Sequence, residues 1–306
     1  MNCMLCGSSE QDILYIIPDY LLDRTGISTT LVKCPQCGLI FQNPRPTIEE
    51  MEIHYPPDYD SYLPAPDRDK SSWLMSKAIN YGIYKRCKVV REQFREGNIL
   101  DIGCATGEFL SGMSNYPGWR TFGVEPNHYA ANLARQKYGL DVFIGTLEQA
   151  AYQSGFFDVI TLWDVFEHLH DPVGTLNEIH RILKTKGIVI VRVPNAYSWD
   201  ARLFRQYWAG LDAPRHLYVF EPLTLKKIFT LAGFDVDKIE CRIGSYPTFV
   251  LSLRFWMVGR GVKKSTIEVI NRILQHPLAR ILTAPIFFVS SIGLKGPLIT
   301  LTAVKR

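Results

Sequence analysis

Nowhere do the 306 residues offer an uncharged stretch long enough to cross a bilayer. The longest such run, Ile281–Leu294, has 14 residues and contains Pro285, whereas a spanning helix needs about 20. Internal repeats and low-complexity tracts are missing, which sets aside repeat architectures. Met1–Cys6 holds neither a basic region nor an apolar stretch, so the expectation is no signal peptide and a cytoplasmic chain. Acidic residues are scarce in one place. From Arg242 to Arg306 there are ten Lys/Arg and one acid, Glu268, for a local charge of +9. The whole chain carries only +4, so the remainder is near −5. A uniformly basic nucleic-acid binder has a different distribution.

What is present centres on Asn98–Gly107, Asn-Ile-Leu-Asp-Ile-Gly-Cys-Ala-Thr-Gly. Ile99, Leu100 and Ile102 suit a buried strand that carries Asp101 at its end. Gly103 and Gly107 bracket a turn, and Glu108-Phe109-Leu110 opens a helix. Glycines at a strand-to-helix turn let a ligand approach backbone that a Cβ would block. The next strand ends on Glu125, 22 residues after Gly103. A carboxylate there can accept hydrogen bonds from both ribose hydroxyls of a nucleoside. Dinucleotide binding would require Gly-x-Gly-x-x-Gly at the turn, and Gly103-x-Ala105-x-Gly107 is not that fingerprint.

The turn resembles motif I of the class I S-adenosylmethionine-dependent methyltransferases. Gly123-Val124-Glu125-Pro126, Phe157-Asp158-Val159-Ile160, Asp164-Val165-Phe166-Glu167-His168-Leu169 and Gly187-Ile188-Val189-Ile190 extend the resemblance in the family's order. Ala105 departs from the usual glycine, and its methyl should tighten the turn without closing the pocket. The resemblance implies an α/β, Rossmann-like seven-stranded sheet with helices on both faces. It implies donor contacts from Asp101, Gly103, Cys104, Ala105, Gly107, Glu125 and Pro126. Thr146 and Leu147 would border the adenine, although Leu147 also fits simple core packing. Trp163 and Asp164 would approach the methionine moiety and the acceptor. A chain that kept the fold as a non-catalytic scaffold would have less reason to keep Asp101, Gly103, Gly107 and Glu125.

Strand and helix alternate as that sheet requires: strands 98–102, 120–124, 141–144, 157–162 and 187–193, with helices 107–115, 127–138 and 172–184. A long helix, 71–96, precedes them. Upstream, Cys3-x-x-Cys6 and Cys34-x-x-Cys37 form two matched knuckles separated by 27 residues. Four thiolates at this spacing can surround one structural Zn²⁺, so residues 1–45 read as a zinc ribbon of short strands. A redox pair or disulfides would not call for two matched knuckles. Zinc ribbons also precede cores that modify RNA, but Met1–Asn43 has two basic residues against four acids, the wrong balance for phosphate. Residues 46–70 read as a proline-rich linker with a short helix at 47–54. Tyr55, Tyr59 and Tyr62 fit either a substrate wall or packing of that linker.

Methyl transfer to an alcohol or carbon acid needs alignment and a base. Glu167 and His168 sit just past the fourth core strand. In related families such an acidic-plus-His tip is catalytic, binds a divalent ion, or caps the next helix. The second candidate stretch, Asp212–Phe220, reads as a lid over the cofactor site. It offers Arg215 for an anion, His216 as a base and Tyr218 as a hydrogen-bond partner. Its His216, Tyr218 and Phe220 are similar to a pattern in zinc-ribbon methyltransferases acting on nucleotide sugars, which usually carry a further C-terminal domain. Trp199, Tyr207 and Trp208 could floor a sugar ring. The expected acceptor is thus a small molecule, a sugar or a lipid-linked glycan, in polysaccharide biosynthesis, by O- or C-methylation.

Strands 236–243 and 298–304 should close the sheet as an antiparallel pair. Between them lies an apolar, basic helical insertion, 244–297, within the methyltransferase domain 71–306. Ile267, Ile270, Leu274, Leu278 and Ile281 form a helical stripe, with Arg272 and Arg280 off it. Contact with an anionic membrane surface, a homodimer interface and intramolecular packing all fit this composition.

Overall fold

The computed structural model describes residues 1–55, 73–241, 245–290 and 292–306. Tyr59, Tyr62 and most of the expected linker lie outside the described residues. The chain opens with a small sheet: β1 (Asp12–Asp19) pairs with β2 (Arg24–Lys33), and β3 (Ile40–Gln42) adds to β2, all antiparallel. Two matched turns flank these strands. The Gly7 N–H donates to Cys3 O at 2.8 Å and the Gly38 N–H to Cys34 O at 2.9 Å. Both glycines adopt left-handed backbone, φ +76° and +79°, where a Cβ is disfavoured. The short helix α1 (Ile48–Met51), continued by a 3₁₀ turn at Glu52–His54, fills the expected 47–54 helix.

After α2 (Trp73–Gln93) comes the alternation foreseen from the sequence. It runs β4 (Gly97–Ile102), α3 (Glu108–Ser114), β5 (Trp119–Glu125), α4 (His128–Tyr138), β6 (Asp141–Ile144), β7 (Phe157–Trp163), α5 (Pro172–Ile182) and β8 (Leu183–Pro194). β8 starts earlier than expected, because Leu183 already pairs with Phe157 ahead of an irregularity in the register. Ile99, Leu100, Val159, Ile160, Val189 and Ile190 are fully buried, as strands covered on both faces should be.

Next come α6 (Trp199–Phe204), β9 (Tyr218–Val219), α7 (Pro222–Leu231) and β10 (Phe234–Glu240). Helices α8 (Ser245–Gly259), α9 (Lys264–Gln275) and α10 (Pro277–Ser290) precede β11 (Leu298–Lys305). The large sheet has seven strands in the order β10-β11-β8-β7-β4-β5-β6. β8, β7, β4, β5 and β6 are parallel, and β11 is antiparallel to both β8 and β10. The chain leaves β4 toward β5 and later returns to β4's other side as β7. Strand order therefore reverses between β4 and β7, where open α/β sheets bind ligands.

Three expectations are corrected. The segment 212–220 is not a lid, because β9 pairs antiparallel with β3, Ile40↔Val219 and Phe41↔Tyr218, and completes the small sheet. Its apolar run Leu217–Phe220 is almost fully buried, and the pairing covers what would otherwise be the open edge of β3. Trp199, Tyr207 and Trp208 do not floor a sugar site. Trp199 stacks on Phe249 at 5.7 Å, Tyr207 meets Tyr20 at 5.6 Å, and the buried Trp208 donates from Nε1 to Asp200 at 3.0 Å. These rings are packing between the insertion and the small sheet. Finally, the stripe from Ile267 to Ile281 is two helices. His276 is extended (φ −65°, ψ 136°), and Pro277, which has no N–H to continue α9, begins α10. Among the described residues no helix is long and apolar enough to cross a membrane.

Candidate active site

At the C-terminal end of β4, Asp101 is buried and accepts from Thr161 Oγ1 at 2.6 Å. Burial pushes its carboxyl up to about 7, against the opposing pull of the Thr161 hydrogen bond and of Arg86. Gly103 (φ +69°) and Gly107 (φ +83°) shape the turn. A Cβ on Gly103 would stand 2.6 Å from Val165 Cγ2, and one on Gly107 2.6 Å from Leu140 Cδ1. Backbone shape and side-chain packing, rather than clearance for a ligand, therefore exclude a side chain at both positions. Ala105 is left-handed as well (φ +46°), at a cost of about 1 kcal/mol for an L residue. The gain is an N–H that donates to Glu125 Oε2 at 2.9 Å, while the Asn127 N–H donates to Oε1 at 2.8 Å. Each oxygen keeps a second lone pair for a ligand hydroxyl. Burial raises the Glu125 carboxyl, and these two backbone bonds oppose the rise.

The other expected donor contacts differ in exposure. Cys104 is buried, with its sulfur against Gly123. Pro126 is exposed beside Glu125. Leu147 is 2 % exposed and belongs to the main core. Thr146 is exposed at a turn in which its N–H donates to Gln149.

Across the switch point, Trp163 ends β7 with its ring edge-on to Phe109 at 5.4 Å. The buried Trp163 Nε1 has no hydrogen-bond partner among the described residues. Asp164 sits in left-handed backbone (φ +59°), which aspartate tolerates, and accepts from Arg192 Nε at 2.9 Å. Arg192 also lies 5.5 Å over the Trp163 ring, and Arg86 of α2 lies 5.8 Å over Phe109. Burial, then the charge of Arg192, lowers the pKa of Arg86, while Asp101 and Asp164 counteract them. Sequence reading missed both arginines, whose reach depends on how α2 and β8 cross the site. Two carboxylates, two arginines and an unpartnered indole N–H thus gather at the switch point beside the Gly103 turn and Glu125. This donor and acceptor set fits a zwitterionic amino-acid moiety joined to a nucleoside.

The two rival histidines form one cluster. His168 and His216 meet edge to face at 4.6 Å, and the Leu217 N–H donates to Glu167 O at 2.9 Å. Arg215 O lies 3.0 Å from His168 Nδ1, and Gly210 O lies 3.0 Å from His216 Nδ1. A carbonyl only accepts, so each Nδ1 carries the proton and each Nε2 presents a lone pair. His216 Nε2 stands 3.8 Å from Glu167 Oε1 and 3.9 Å from Asp212 Oδ2. The Tyr55 hydroxyl reaches His168 Nδ1 at 2.9 Å, so the linker tyrosine does border this site. Glu167 is fully buried, and neither carboxylate oxygen has a hydrogen-bond partner among the described residues. Burial, then the charge of Asp164, pushes its carboxyl well above the usual range. Burial, then His216, takes His168 down to about 3. Burial also lowers His216 against the pull of Asp212, so both rings are neutral near pH 7. Glu167, His168 and His216 each bring one donor atom within 4.8 Å of the others, a set that could also hold a divalent cation. The helix cap foreseen at this tip is supplied instead by Asp171, which accepts from the Gly174 N–H at 2.9 Å.

Arg215 and Tyr218 do other work than foreseen. Arg215 is fully buried and forks onto Asp19 of β1 at 2.8 and 3.0 Å while also pairing with Asp212 at 2.7 Å. Burial would lower its pKa, but the bonds it donates to Asp19 and Asp212 outweigh this and raise it. No charge is left over for a substrate anion. The Tyr218 hydroxyl is held by Arg45, whose guanidinium also lies 4.5 Å over the Tyr218 ring. At the N-terminus, the Cys3–Cys37 and Cys6–Cys34 sulfurs are each 3.5 Å apart, and all four lie within 4.8 Å of one another. A ZnS₄ tetrahedron with bonds of about 2.3 Å has S···S edges of about 3.8 Å, so the four thiols fit such an ion.

A family described as "Methyltransferase domain" matches residues 82–239, just over half of the chain. The chain belongs to that family. The matched part of this methyltransferase domain excludes the small sheet's first three strands and α8–α10. A demethylmenaquinone methyltransferase from Chlorobaculum tepidum is 28 % identical over 135 residues, 42 % of this chain and 56 % of the relative. A ubiquinone biosynthesis O-methyltransferase from Pseudomonas aeruginosa is 31 % identical over 109 residues, 32 % of this chain and 47 % of the relative. The chain thus spans about half the length of the curated relatives it matches. Among solved structures, a proposed sarcosine dimethylglycine methyltransferase from Galdieria sulphuraria aligns over 80 % of this chain and 92 % of its own. Its TM-score is 0.51 at 13 % identity, a likeness of fold.

Proposed function

We propose that the chain transfers a methyl group from S-adenosylmethionine to a hydroxyl of a small-molecule acceptor, with His216 as general base. When bound, the donor supplies a methyl already activated on a sulfonium. Glu125 would hold its ribose hydroxyls, Asp101 and Asp164 its amine, and Arg86 and Arg192 its carboxylate. The observation that carries the reading is the Glu167–His168–His216 cluster beside the tip of β7. His216 is held neutral by burial, its Nδ1–H is fixed by Gly210, and its Nε2 lone pair faces two carboxyl groups. A proton arriving at Nε2 would be stabilised by the charge of Asp212, as a base needs. In the ribbon, Cys3, Cys6, Cys34 and Cys37 would hold a structural Zn²⁺.

A sugar or lipid-linked glycan is one acceptor class, and the ubiquinone biosynthesis O-methyltransferase among the relatives adds a hydroxyl of a quinone precursor as another. Loss of the aromatic floor removes one argument for the sugar. RNA is disfavoured by the acidic N-terminal segment. The test is calorimetric titration with S-adenosylmethionine, followed by methyl-transfer assays on nucleotide sugars and quinone precursors. Glu125→Ala should weaken donor binding at least about tenfold, or 1.4 kcal/mol. His216→Gln should leave binding intact and reduce turnover by about 10²-fold or more. Wild-type protein that binds no donor would refute the proposal. The orphaned oxygens of Glu167 favour a second reading, in which the same three residues hold a divalent cation against the acceptor. Only then would EDTA abolish turnover and Mg²⁺ or Mn²⁺ restore it in zinc-replete protein.

A further inference from the structure

Helix α10 packs one face and bares the other. Phe287 reaches inward to Phe249 of α8 at 5.4 Å and to Trp199 at 6.1 Å. The opposite stripe, Leu278, Ile281, Leu282 and Val289, follows helical spacing and is 60 %, 67 %, 77 % and 64 % exposed. Helix α9 repeats the arrangement, with Ile267 buried and Val269 and Ile273 exposed at 54 % and 61 %. Both helices pack on α8 and on each other, so these apolar faces turn away from the fold.

Basic residues surround them. Between Arg260 and Lys295 there are six Lys/Arg and one acid, Glu268, and all six basic side chains are exposed. We propose that α9 and α10 form a peripheral docking surface for an anionic lipid bilayer. The exposed apolar side chains would enter the acyl boundary, and the basic residues would remain at the headgroups. A second copy of the chain fits the charge less well. A twofold contact sets each patch against itself, which would bring the basic residues of one copy against the basic residues of the other with almost no acid to pair them. Crossing is ruled out for α10, since 14 residues rise only about 21 Å against a hydrocarbon core of about 30 Å. Docking does not depend on which acceptor is methylated.

The test is co-sedimentation of the full chain with vesicles of phosphatidylcholine alone or of equal parts phosphatidylcholine and phosphatidylglycerol. Binding should require phosphatidylglycerol, fall with added salt, and drop at least tenfold in Ile281→Glu/Leu282→Glu. Val289→Glu, at a separate exposed position, should weaken it as well, and Lys264→Glu/Arg272→Glu should remove the lipid preference. Circular dichroism should show all variants folded. Three results would overturn the proposal: no binding to either vesicle, equal binding to both, or a dimer in sedimentation equilibrium that Ile281→Glu/Leu282→Glu dissociates.

Discussion

Burial keeps the Asp101 carboxyl protonated up to about pH 7, although Thr161 Oγ1 donates to it at 2.6 Å. In the unfolded chain the same group ionises near its ordinary 3.8. Between those two values the folded state holds a proton that the unfolded state has released. Rising pH therefore favours unfolding across this window and has no effect through Asp101 outside it. Asp101→Asn should abolish that slope. The donor-free variant should become more stable than the wild type as pH rises from about 4 to about 7, by up to about 4 kcal/mol. Thermal unfolding across that range checks this, and a stability difference that does not change with pH would refute it. Asp101, Gly103 and Glu125 were readable because a strand end, a glycine turn and a strand tip are local features. Arg86 and Arg192 were not, because their approach to Asp101 and Asp164 depends on packing between distant segments. The histidines were readable singly, whereas their union rests on Arg215 O reaching His168 Nδ1 across 47 positions.

Strand β9 is where local reading failed most. Two residues, Tyr218 and Val219, have no period of their own, and only the vacant edge of β3 makes them a strand. As a result the cysteine-bearing module grips the segment that carries His216. Gln42 of β3 donates from Nε2 to Pro214 O at 2.6 Å and to His216 O at 2.8 Å. Its backbone N–H donates to Leu217 O at 3.0 Å. Gln42→Leu leaves two buried carbonyls without that donor, a loss of about 1–3 kcal/mol. The expected effect on activity is a fall in turnover with donor affinity unchanged, since Glu125 and the Gly103 turn belong to the other sheet. Cys34→Ser should have the same signature, more strongly, if the four thiolates hold zinc and the turns loosen without it. Parallel titrations and turnover assays separate the outcomes. A matching loss of donor affinity in either variant would contradict this division of labour.

Across the whole molecule, the N-terminal strands and the segment leading into β9 share one buried ion cluster. Arg215 was readable as an anion binder, but its anions are internal: Asp19, 196 positions away, and Asp212. No spacing rule reports a partner at that distance. Arg215, Asp19 and their hydrogen bonds lie at zero exposure, so removing one partner strands a charge away from water. Such a loss typically costs about 3–5 kcal/mol, whereas replacing both partners by apolar side chains is often close to neutral. Arg215→Met should therefore destabilise the protein by about that amount. Asp19→Leu/Arg215→Met should recover more than half of it, even though Asp212 loses its guanidinium partner. Because Arg215 also fixes the backbone whose carbonyl sets the His168 tautomer, the double variant should stay stable yet turn over slowly. Calorimetric unfolding of the three proteins, read beside their turnover, tests stability and function separately. If Arg215→Met stays within about 1 kcal/mol of the wild type, the clamp is not what joins the N-terminal strands to this segment. The β3–β9 pairing and the packed faces around Trp208 would then hold them together without it.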